Sequence, residues 1–172
     1  MNNLDKPIDA TEISDAGPIK KRNVMLDDFG VDLAIESVPL PSRGIIYPEE
    51  KEIHNTETLD IKPMTAREED ILTSRAYIKN GTVITKLIKS CLTDKSIDPD
   101  DLISGDRNAL LIALRITGYG SDYELDISCP ECGKTNKSSF DLSSLHIKRL
   151  QVEPDIIGSN SFDIVLPITK KN

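Results

Sequence analysis

A chain of 172 residues is long enough for one domain with a real core, or for a smaller domain with tails. With 29 acidic against 21 basic side chains the net charge is −8, and such a surface repels phosphate backbones, so general nucleic-acid binding is disfavoured from the start. Tryptophan is absent and aromatics are scarce, which leaves an aliphatic core built from Ile and Leu.

No apolar run approaches the roughly 18–20 residues that span a bilayer. The N-terminus lacks the basic-then-apolar order of a signal peptide. Three cysteines, two of them in a CxxC, suit a reducing cytosol better than a disulfide framework. The chain therefore reads as soluble and made in a cytoplasm.

Residues 1–37 are polar and acidic with scattered Pro and Gly. They read as a flexible N-terminal extension, disordered alone and able to order on a partner. The basic run Lys20-Lys21-Arg22 inside it reads as solvated tail.

The next block, 38–120, is an extended segment followed by a helical core. Pro39, Pro41 and Pro48 force extended backbone, and Gly44 permits a turn. Ile45, Ile46 and Tyr47 have strand propensity, and Ile53 with Leu59-Asp60-Ile61 predicts a second short strand closed by Pro63.

Three helices are predicted after it. Thr65 and Glu68 form a capping box, and Glu68, Glu69 and Asp70 suit the positive end of the helix dipole. That first helix carries Ile71, Leu72, Arg75 and Ile78 and stops at Asn80-Gly81. The second starts near Thr82 with Val83, Ile84, Leu87, Ile88, Cys91 and Leu92 on one face, which makes Cys91 a core residue. Asp106 is placed to cap the third, from Arg107 to Thr117. Its segment Ala109 to Leu114 is apolar nearly all round and so predicted central.

The last block, 121–172, changes period to two. Tyr123, Leu125 and Ile127 alternate with Glu124, Asp126 and Ser128, and a return strand runs through Lys137 to Leu142. The turn between them is Cys129-Pro130-Glu131-Cys132-Gly133. Residues 145–150 and 162–166 predict two more strands. The fold class is therefore α+β, with about three helices flanked by an extended N-terminal segment and a C-terminal antiparallel sheet bearing a zinc-ribbon-like knuckle.

The knuckle is half of a zinc site. Structural zinc wants four Cys or His ligands, and the chain offers Cys129 and Cys132, with His146 as a third and a fourth from another subunit. The alternatives are a tight turn kept for its geometry, or a disulfide. For protein partners, Arg67, Arg75, Arg107 and Arg115 lie on or beside helices, with Tyr77 and Tyr119 as matching aromatics. Arg and Tyr are enriched at interfaces. Phosphate loops, nucleophile elbows and zinc-protease motifs are missing, and the Glu68-Glu69-Asp70 cluster suits a dipole partner better than an acid–base pair. Lys134, Lys137, Lys148 and Arg149 give thin support to a zinc-ribbon nucleic-acid binder, the rival function. A metal-assisted hydrolase is the second rival.

Several stretches together resemble one family: Leu40-Pro41-Ser42-Arg43-Gly44 with Tyr47, Pro63 through Leu72, Ser104 through Leu110, Arg115 through Gly120, and the CPECG knuckle. In these the chain is similar to the baseplate hub assembly proteins of T-even-type contractile-tailed bacteriophages. The likeness covers about residues 38–169, and its helical segments are the specific part. It implies a non-enzymatic subunit or assembly factor of the central hub, in the host cytoplasm during assembly and in the virion tail baseplate. It implies other baseplate and hub proteins as partners, with a homo-oligomer as a further option and neither nucleic acid nor a membrane span. Relatives continue past the strand ending near Leu166, so a bare sheet edge open to another chain is expected.

Overall fold

The structure is a computed structural model that describes residues 21–26 and 32–165. Most of the extension read over 1–37 lies outside the described residues, as do Leu166 and the residues beyond it. Strands β1 (Lys21–Leu26) and β2 (Asp32–Pro39) form part of that extension, and β3 (Thr58–Ile61) follows. The three make an antiparallel sheet in the order β1-β2-β3.

Helices α1 (Ala66–Thr73), α2 (Arg75–Lys79), α3 (Val83–Cys91) and α4 (Ser104–Tyr119) come next, with a 3₁₀ turn at Pro99–Asp101 before α4. A hairpin of β4 (Asp122–Ser128) and β5 (Thr135–Asp141) closes the regular structure. The class is α+β as the sequence predicts, with four helices and two small antiparallel sheets among the described residues.

The period-two pattern of β3 turns Leu59 and Ile61 inward, beside Val38 of β2. Helix α3 buries Leu87, Ile88 and Cys91, as its apolar face requires. Chain leaving α3 adds to the sheet: Lys62 N–H donates to Cys91 O at 2.9 Å and Thr93 N–H to Asp60 O at 3.0 Å. Helix α4 buries Ala109, Leu110, Ala113 and Leu114. Ile112 on its far side is exposed, so the helix lies on the core with one face and is not enclosed by it.

Three other expectations are corrected. The first predicted helix runs unbroken to Asn80, but Ser74 takes extended backbone at ψ 110 and divides it into α1 and α2. Ile45-Ile46-Tyr47 forms no strand; residues 41–46 turn back on themselves, with Arg43 N–H bonded to Leu40 O at 3.1 Å. Propensity favours a strand there only if a neighbouring strand is at hand, and burial of Ile46 and Tyr47 inside the turn wins instead.

Residues 145–150 and 162–165 are likewise irregular. Residues 145–165 run as a strap tied by single bonds, Leu150 N–H to Pro41 O at 2.7 Å and Gly158 N–H to Ile45 O at 2.8 Å. Isolated bonds of this kind tie the strap to the 41–47 turn without building a ladder. The predicted sheet beyond the hairpin is therefore replaced by a cover over that turn.

Gly44 makes the turn feasible. Its φ is +75°, and an added Cβ would run into the backbone of Thr56. Gly44→Ala is therefore expected to destabilise the fold by about 2 kcal/mol or more, read as a lowered urea midpoint. A midpoint within error of the wild type would show that the turn relaxes freely.

Candidate functional site

Two buried polar networks come first, because enclosed acids are the usual mark of catalytic chemistry. Asp106 and Glu68 are both fully buried. Asp106 lies inside the first turn of α4 and does not cap it. Its Oδ1 accepts from Ser42 N–H at 2.9 Å, and its Oδ2 accepts from Ser42 Oγ at 2.5 Å and Tyr47 Oη at 2.6 Å. Ser42 Oγ accepts in turn from Gly44 N–H at 3.1 Å, and Tyr47 Oη from Ile103 N–H at 3.0 Å. Burial, helped by the Asp106 carboxylate, pushes the Tyr47 phenol far above its usual range.

Glu68 is built the same way. Thr65 N–H and Thr65 Oγ1 donate to its Oε2 at 2.9 and 2.5 Å, completing the predicted capping box. Lys62 Nζ at 3.1 Å and Ser90 Oγ at 2.6 Å reach its Oε1. Burial works to raise this carboxyl, but the donors from Ser90, Thr65 and Lys62 outweigh it and hold it at about 2. Both networks are spent on internal donors, so they position backbone and leave no oxygen aimed at a substrate.

The surface is more informative. At the corner between α4 and β4, Arg115 donates to Gly120 O at 2.8 Å and Asp122 O at 3.2 Å. Its guanidinium carbon lies 5.2 Å from the ring centre of Tyr119 and 5.8 Å from that of Tyr123. Tyr123 pairs across the hairpin with Phe140. The three rings remain 54%, 43% and 50% exposed in the order Tyr119, Tyr123, Phe140. An arginine held rigidly by backbone carbonyls, beside three half-covered rings, is the composition of an interface anchor.

The predicted interface residues separate on this basis. Arg115 and Tyr119 fall in the cluster. Arg107 turns inward, donating to Pro99 O and Asp100 at 3.3 Å and to Thr85 Oγ1 at 3.1 Å. Arg67 is exposed on the first turn of α1, away from the cluster in sequence and element. Arg75 and Tyr77 stand on α2, a helix with no buried residue, beside exposed Ile78. Tyr123 and Phe140 were not singled out from the sequence as contact residues. The signal for Tyr123 is the apolar alternation of β4, which normally marks a buried face and here marks an uncovered one; Phe140 is the one apolar residue of β5 and follows only from its pairing with Tyr123.

The CPECG segment is the hairpin turn itself. Cys129 N–H donates to Lys134 O and Gly133 N–H to Cys129 O, both at 2.9 Å. Gly133 holds φ +68° there. Backbone N–H groups of Cys132 and Glu131, with the Cys132 thiol, converge on the Cys129 sulfur and hold its thiol below the ordinary range. Cys129 is half-buried, Cys132 exposed and Cys91 buried, all as free thiols.

Among the described residues no group of three or more His, Cys, Asp or Glu is placed to hold a metal ion, so His146, which is exposed, does not join the pair. A complete zinc ribbon is therefore not formed by the described residues. The hairpin is not a basic stripe either. Asp126 stands opposite Lys137, and Arg149 is engaged with Glu57 O at 3.1 Å. Among the described residues no helix is long and apolar enough to cross a membrane.

A protein-family model described as T4 bacteriophage base plate protein matches residues 46–169. That span takes in all four helices, the hairpin and the strap. No curated protein and no solved structure matches the chain.

Proposed function

Because the chain belongs to the family of T4 bacteriophage base plate proteins, and so has a structural or assembly role in a phage tail baseplate, we propose that it works at the central hub as a non-enzymatic subunit or assembly factor. It acts by docking onto other baseplate proteins. The observation that carries this reading is the Arg115, Tyr119, Tyr123 and Phe140 cluster. Aromatic rings supply large contact area at low entropic cost, and a fixed guanidinium adds directional hydrogen bonding.

The test is co-expression with the other baseplate proteins of the same phage, followed by affinity measurement on the captured pair. Tyr119→Ser combined with Phe140→Ser is expected to weaken capture by about tenfold or more, while circular dichroism stays unchanged. Undiminished capture by the double variant would remove the cluster from the interface. Mass spectrometry of purified virions separates a retained subunit from a transient factor.

A further inference from the structure

The hairpin tip carries two thiols and too few neighbours to use them on one metal. Both strands of the hairpin are exposed along almost their whole length, so the tip projects away from the core. The turn is tightly built, with Cys129 and Gly133 closing it through two backbone bonds at 2.9 Å. Across this turn the Cys132 thiol hydrogen-bonds to the Cys129 sulfur, so the two sulfurs lie side by side. Zinc needs four such ligands in a tetrahedron.

We propose that Cys129 and Cys132 are half of a tetrathiolate zinc site that a second copy of this chain completes. Two identical knuckles related by a two-fold axis supply four sulfurs with no further residue type required, which is the simplest closed symmetry for a pair. Each copy gives up its two thiol protons, and Zn²⁺ takes four thiolates. Approach of two tips also covers Ile127, which lies two residues before Cys129 and is 45% exposed. A net charge of −8 on each copy opposes simple association, so the metal is the element that holds the pair. This inference does not depend on the docking cluster at the hairpin's base.

The full chain, purified under reducing conditions, is titrated with Zn²⁺ alone. Mass is followed by light scattering and zinc is measured in the eluted peak. The expected result is a shift from 19.0 kDa to twice that mass with one zinc per two chains, reversed by a chelator. Co²⁺ in place of zinc gives the visible absorption of a tetrahedral thiolate site. Cys129→Ser and Cys132→Ser, each on the exposed turn and each checked for native circular dichroism, are expected to abolish both the shift and the absorption.

Zinc bound to a chain that stays monomeric overturns the proposal. So does a dimer that survives either substitution, failure to bind zinc, or an intramolecular disulfide persisting as the resting form. Release of the second copy in favour of a different baseplate protein, with zinc bound only in that complex, overturns it as well.

Discussion

Asp106→Ala is expected to lower the unfolding free energy by about 3–5 kcal/mol, a large part of the roughly 5–15 kcal/mol that holds an ordinary domain together. The size follows from what is left behind. Ser42 N–H, Ser42 Oγ and Tyr47 Oη all donate to this one carboxylate, inside a region that water does not reach. Each orphaned buried donor costs about 1–3 kcal/mol, and the three are coupled, so their sum is an upper limit.

Tyr47→Phe removes one of the three donors and the acceptor used by Ile103 N–H, so about 1–2 kcal/mol is expected. The measurement is the urea midpoint at neutral pH, with the slope checked for a change in denatured state. If Asp106→Ala proves no more costly than Tyr47→Phe, the network is not what fixes the turn against α4. The partners stand 64 and 59 residues apart in the chain, so this carboxylate joins the turn around Ser42 and Tyr47 to the longest helix.

Acidification is expected to reveal Glu68. Its carboxyl titrates at about 2 in the folded chain against an ordinary value of 4.5. A depressed folded value means that the unfolded chain takes up the proton first as pH falls. The stabilisation is therefore complete above about 4.5 and is lost progressively between 4.5 and 2. At 1.36 kcal/mol per unit, the loss over that window is about 3 kcal/mol.

Glu68→Gln carries no proton to lose. Its stability should be lower than wild type at neutral pH by a similar amount and should converge on wild type as pH approaches 2. Ser90→Ala, which removes a strong donor, should narrow the gap. Parallel pH curves for wild type and Glu68→Gln would sink the assignment.

Local signals were legible in the sequence wherever the deciding contacts lie within a few residues. The Thr65 and Glu68 capping box, the apolar face of α3, the burial of Cys91 and the paired strands of the hairpin are all of that kind. Failures lie where a distant partner decides. Asp106 precedes an apolar run and so resembles a helix cap, yet its partners come from the turn around Ser42 and Tyr47. Ile45 to Tyr47 has the composition of a strand, but Arg43 at φ 59° and Gly44 at φ 75° reverse the chain there.

The candidate interface was half legible. Arg115 and Tyr119 are visible as residue types beside a helix end, whereas Tyr123 and Phe140 carry no contact signal of their own, because a strand pattern cannot say whether anything covers its apolar side. Arg107 is engaged within the chain in a way its sequence context does not announce. Its neighbours in sequence are polar, and only the fold brings Pro99 O and Thr85 within its reach.

Cys91 is sealed in the core, and burial pushes its thiol up to about 12. It is consequently silent toward alkylating and oxidising reagents in the native state. The two remaining thiols, Cys129 and Cys132, both sit at one hairpin end, so maleimide or spin labels placed on them report from that end without any residue being removed. The molecule thus comes with its own chemical address, at the far end of the hairpin whose base carries Arg115, Tyr119, Tyr123 and Phe140.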